Sequence, residues 1–77
     1  MTHQLLKVSG KGDELIAEWT KAGSPECRIA EREFKELVEG KGWSAFVLDP
    51  EAVAHRRIGR FEPEAETIML IPRMAGG

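Results

Sequence analysis

The sequence predicts an α+β domain in which a mixed sheet packs on one helix. Three observations predict it: two extended runs joined by a glycine turn, one amphipathic stretch in the middle, and a nearly continuous apolar run near the C-terminus. The first run is Gln4-Leu5-Leu6-Lys7-Val8 and the second runs from Asp13 to Thr20, with Ser9-Gly10-Lys11-Gly12 between them. The glycines supply the positive φ of a tight turn, so the pair is predicted to be an antiparallel hairpin. Period-two alternation puts Leu6, Val8, Leu15, Ala17 and Trp19 on one face and leaves Leu5 and Ile16 on the other.

Ser24-Pro25-Glu26 is a helix entry, with Ser24 as cap, Pro25 at the first helical position and an acid in the first turn. Ala30, Phe34, Leu37 and Val38 recur along one face of that helix, and Gly40 with Gly42 ends it. The competing reading has Cys27-Arg28-Ile29 continuing an extended connection, with the helix starting at Ala30. Trp43 to Leu48 is rich in β-formers and stops at Asp49-Pro50, which defines a third strand. Residues 51–54 are open between a helical turn and a loop, and Arg56 to Phe61 between a short edge strand and a loop. After the polar turn Glu62-Pro63-Glu64-Ala65-Glu66, the run Thr67 to Ile71 is apolar enough for a central strand. The predicted order is ββαβ(short element)β. Its core is Leu6, Val8, Leu15, Ala17, Phe34, Leu37, Val38, Ile68 and Leu70, in one domain over residues 1–73 with a flexible tail over 74–77.

With 77 residues, the chain buries only about 60% of its surface on folding, which leaves no room for a cleft walled by several elements. This favours a binding module, carrier or subunit over an enzyme, and no His-Cys-Asp constellation suggests otherwise. The 11 basic and 13 acidic residues are interspersed, which argues against a nucleic-acid partner. The single cysteine, Cys27, cannot close an internal disulfide, and no apolar run has the length of a membrane span. A cytoplasmic monomer without membrane partner, metal or cofactor is expected.

The chain closes on Leu70-Ile71-Pro72-Arg73-Met74-Ala75-Gly76-Gly77. Two glycines without Cβ atoms can thread a narrow channel, and a carboxylate carried on them is a chemical handle. The bland alternative is a frayed end. Together with the element order and the helix ending in Glu39-Gly40-Lys41-Gly42, this tail makes the whole chain resemble the β-grasp fold of ubiquitin and its prokaryotic relatives. Pro72 and Ala75-Gly76-Gly77 are similar to the sulfur-carrier branch, and the Pro72-Arg73-x-Ala75-Gly76 string is also similar to the tail-assembly ubiquitin-like proteins of lambda-type phages. Arg73 stands where the sulfur carriers commonly have a second proline, and it matches an arginine by which ubiquitin is recognised by its activating enzyme.

The resemblance implies that Gly76 and Gly77 are the site of activation. A partner enzyme would adenylate the Gly77 carboxylate with ATP, and a sulfur or amine nucleophile, on a downstream acceptor protein or synthase subunit, would displace the adenylate. The chain would be substrate rather than catalyst, and Arg73, Met74 and Ala75 would contact the activating enzyme. Fold alone does not separate this carrier from a non-covalent adaptor with an inert tail.

From alternation, Leu5, Ile16, Met69 and Ile71 are expected on the outer sheet face, either as an apolar partner-binding patch or as a second, covered layer. Cys27 is either a thiol activated by a helix N-terminus or a small core residue. His3 and His55 have no second ligand at metal spacing. Arg56, Arg57 and Arg60 are the densest basic stretch, but acids at Glu51, Glu62, Glu64 and Glu66 surround them, so a solvated, neutralised face is expected. Gly10-Lys11-Gly12 is too short for a phosphate loop, and a hairpin turn explains it.

Overall fold

A computed structural model of the chain describes residues 2–48 and 56–72. Strand β1 (His3–Ser9) pairs antiparallel with β2 (Gly12–Trp19), with only Gly10 and Lys11 between them. The positive φ that this turn needs falls on Gly12, at +115°, and not on both loop glycines. Helix α1 (Pro25–Lys35) begins where the sequence places it. The Ser24 hydroxyl accepts the Cys27 N–H at 3.1 Å, and Pro25 takes the first turn, where its missing N–H costs nothing. Cys27, Ala30 and Phe34 are its buried face, which settles the helix over residues 27–29 against an extended connection.

A five-residue π turn, Glu36–Gly40, prolongs the helix, and Gly42, at φ +73°, reverses the chain. The Leu37 carbonyl accepts the Lys41 N–H and also the Trp43 N–H, the latter at 3.0 Å, which ties the start of the next strand back to the helix end. Strands β3 (Ser44–Leu48), β4 (Arg56–Ile58) and β5 (Thr67–Ile71) complete the sheet, so the segment around Arg56 is an edge strand. The sheet order is β2-β1-β5-β3-β4, with β1 and β5 parallel and every other pair antiparallel. This five-stranded mixed sheet on one helix is an α+β fold compatible with the β-grasp arrangement, and it makes β5 the central strand.

The register sorts the strand residues into two faces. On the helix side, Leu5, Ile68 and Val47 lie in one rung, and Leu70, Ala45 and Ile58 in the next. All six are buried, and they form one core with Trp19, Cys27, Ala30 and Phe34, against which Leu37 and Val38 pack half-buried. Aromatic rings close one end of that core. Trp19 lies between His3, stacked at 5.5 Å, and Phe61 at 5.3 Å, while Phe34 meets Phe61 edge-on at 5.7 Å. The Trp19 Nε1–H donates to the Pro63 carbonyl at 2.8 Å and the His3 Nδ1–H to the Ala65 carbonyl at 2.7 Å, so the loop into β5 is fastened to the hairpin.

The hairpin corrects the expected parity. Leu5 has no solvent exposure and belongs to the core, whereas Leu6 and Val8 are only half-buried and Leu15 is 51% exposed. The reason is a bulge: Leu5 pairs with Ala17 but Leu6 pairs with Leu15, so Ile16 is an extra residue in β2. Ala17 and Trp19 keep the inward parity, and every residue before the bulge changes face. Ile16 itself packs half-buried against the core and is not on the outer face. We therefore expect Ile16→Asp to cost about 1–3 kcal/mol, while Leu15→Lys stays within about 0.5 kcal/mol. Urea melts of the two variants check this, and equal losses would contradict the bulge.

Candidate functional site

The face of the sheet opposite the helix carries a row of side chains that crosses all five strands. Leu15 pairs with Leu6, Leu6 with Met69, Met69 with Phe46, and Phe46 with Arg57. Paired residues share a face, so these five side chains form one row running from edge to edge. Leu6, Met69 and Phe46 are half-buried, and Leu15 and Arg57 are exposed. Val8, paired with Asp13, and Ile71, paired with Ser44, extend the apolar area toward the end of β5. On the other side of the row, Gln4 pairs with both Glu18 and Thr67, and Leu48 with Thr67, so the face turns largely polar there. No described helix or strand packs on this surface.

Met69 and Ile71 thus occupy the outer face that their parity predicts, whereas Leu5 and Ile16 do not join them. Their places are taken by Leu6, Val8, Leu15 and Phe46, which sequence reasoning missed on this face. Alternation within Ser44–Leu48 holds the signal for Phe46, since Ala45 and Val47 flank it and are buried. Ile71 is followed by Pro72, half-buried and outside the strand. Proline has no N–H to continue the ladder, so the sheet stops at Ile71 on the same side as the apolar area. Arg73, Met74, Ala75, Gly76 and Gly77 lie outside the described residues, as does His55.

Cys27 takes the bland reading, and of the basic stretch only Arg56 is neutralised, since Arg57 and Arg60 form no ion pair with another described residue. Cys27 is buried, and its N–H serves the Ser24 cap. Arg56 is engaged by Glu62 through two hydrogen bonds of 2.6 and 2.8 Å, at a shallow cleft that Glu64 and Glu66 also line. An anion would meet three carboxylates there. Among the described residues, no three His, Cys, Asp or Glu side chains are grouped to hold a metal ion, and no helix is long and apolar enough to cross a membrane.

The hydrogen bonds from Arg56 hold the Glu62 carboxyl below its ordinary value of 4.5, against a smaller opposing effect of burial and with the guanidinium charge adding to the lowering. A carboxyl lowered in the folded state contributes stability above its unfolded value and loses it as pH falls through the folded one. Both partners are substantially exposed, with side chains at 61% and 36%, so solvent screening limits the pair to about 1 kcal/mol or less. Glu62→Gln is expected to cost no more than that at neutral pH and to reduce the loss of stability below pH 4.5. Thermal melts at pH 7 and pH 3 test both signs.

The chain matches no protein-family model, no curated protein and no solved structure.

Proposed function

We propose that this chain is a small ubiquitin-like carrier or modifier, acting through a Gly77 carboxylate that is either native or exposed by cleavage. The carboxylate attacks the α-phosphorus of ATP in a partner enzyme, pyrophosphate leaves, and the acyl-adenylate forms. A sulfur or amine nucleophile then displaces AMP, giving a thiocarboxylate or an amide. A carboxylate is a poor acyl donor because oxide leaves badly, and adenylation replaces oxide with a good leaving group. The partner supplies the catalytic groups, so this chain is the substrate.

The observation that carries the reading is the end of β5. A central strand, parallel to β1, stops at Pro72, and the next five residues in the sequence are Arg73-Met74-Ala75-Gly76-Gly77. A strand ahead of a Cβ-free dipeptide suits delivery of a carboxylate into a narrow ATP site, and Arg73 would meet an acid on the enzyme. The sulfur-carrier resemblance supports this reading, and the phage tail-assembly resemblance belongs to the alternative in which the tail is inert. The test is the intact mass of the chain recovered from its own cells, where replacement of one carboxylate oxygen by sulfur marks a carrier and attachment to a lysine marks a modifier. Recovery of the unmodified chain only, together with no ATP–pyrophosphate exchange by an adenylating enzyme of the same cells, would overturn the proposal.

The outer-face row favours a second reading, that of a non-covalent β-grasp adaptor with an inert tail. Half-exposed Phe and Met side chains in the middle of a sheet face are what a protein partner would cover.

A further inference from the structure

We propose that the outer sheet face joins two copies of this chain, face to face, about a two-fold axis that runs along β5. The two ends of the apolar row are charged. The β2 edge presents Asp13 and Glu18, paired with Val8 and Gln4, and the β4 edge presents Arg57, paired with Phe46. Asp13 and Arg57 are exposed, and neither forms an ion pair with another described residue. Each edge therefore carries a charge opposite to the other on the same face.

Two copies stacked by this face with their strands aligned have two symmetric choices. An axis across the strands puts β2 over β2 and β4 over β4, which sets acid against acid and Arg57 against Arg57. An axis along β5 instead puts β2 of one copy over β4 of the other. The Arg57 stem then covers Leu15 of the second copy, and its guanidinium lies between Asp13 and Glu18 on the same strand. Leu6 faces Phe46, and Met69 faces its own counterpart on the axis. Charge thus selects the second arrangement, and it lies within the roughly 30° alignment usual for stacked sheets.

The area sets the strength. Five strands about 4.8 Å apart and about five residues tall give a face of roughly 24 by 17 Å, or on the order of 400 Å² per copy. That falls below the roughly 1,200–2,000 Å² total of a stable interface, so the dimer is a weak one that forms and separates readily. Rotation about an axis parallel to the strands keeps strand direction. Both Pro72 residues therefore lie at the same end of the dimer. The proposal does not depend on the carboxylate chemistry above, because it concerns the sheet face alone.

Sedimentation equilibrium on the full chain tests it. The wild type should pass from monomer to dimer between micromolar and millimolar concentration, with amide shifts on dilution confined to Leu6, Leu15, Phe46, Met69, Arg57 and their strand neighbours. Asp13→Arg and Arg57→Glu should each weaken association by about tenfold or more. An equimolar mixture of the two variants should associate again, since the two substituted side chains, now of opposite charge, would meet in one contact and the native Arg57 and Asp13 in the other. That recovery also shows that both variants are folded. A wild type that stays monomeric to millimolar concentration overturns the proposal, whether or not another protein binds this face. So does a dimer that both single variants preserve, or a mixture that fails to recover.

Discussion

Phe34→Ala is expected to cost about 3–5 kcal/mol, because it empties the centre of the only core among the described residues. Phe34 is 1% exposed and lies on α1 against the sheet, with its ring edge-on to Phe61, which in turn contacts Trp19. Removing the ring opens a cavity and withdraws one member of an aromatic chain that joins the helix, the hairpin and the loop into β5. A domain of this size has roughly 4–12 kcal/mol in all, so the variant should be partly unfolded at 37 °C. Guanidinium melts followed by the fluorescence of Trp19 and Trp43 measure the loss. A change below about 1 kcal/mol would mean that the helix face does not carry the core.

Under the proposed function, the second large effect is on chemistry and not on stability. Deleting Gly77, or changing Gly76 to Trp, should abolish adenylation and leave the melting temperature within about 2 °C of wild type. Deletion removes the carboxylate from its reach, and an indole cannot enter a channel shaped for a residue without Cβ. Arg73→Glu should weaken binding to the activating enzyme by about tenfold or more, since it places an acid against an acid. ATP–pyrophosphate exchange with an adenylating enzyme of the same cells separates these effects. Exchange that continues undiminished with Gly77 deleted would place the activated group elsewhere and remove the basis for the carrier reading.

Met69 and Ile71 stand beside Pro72 on the face that we assign to the dimer, so that face and the tail are spatially continuous up to the last described residue. An enzyme that grips the tail would meet this apolar surface next. A weak dimer is compatible with such use, because an interface of a few hundred Å² per copy is displaced by a partner of ordinary affinity. The adaptor reading needs this face, whereas the carrier reading turns on what happens at Gly77.

The helix was legible in the sequence because its determinants are local. The Ser24 cap, Pro25, and the spacing of Ala30, Phe34, Leu37 and Val38 all act within a few turns, and the structure uses each of them. The inward parity of Ile68 and Leu70 was equally legible, since alternation along a regular strand allows no other assignment once one face is buried. The first hairpin was not. Leu5 and Leu6 are the same residue type, so composition cannot say which faces the helix, and period-two counting from Trp19 fails at the bulge on Ile16. Pairing of β1 with both β2 and β5 fixes Leu5 against Ala17 and Ile68, and that is a long-range choice. The row Leu15, Leu6, Met69, Phe46 and Arg57 likewise draws one residue from each strand. The sequence by itself determined the first hairpin as an element, the helix with its buried face, and the strands β3 and β5. Only the tertiary structure decided which side of the hairpin is core and which residues meet on the outer face, because register between distant strands is set by packing and not by any local preference.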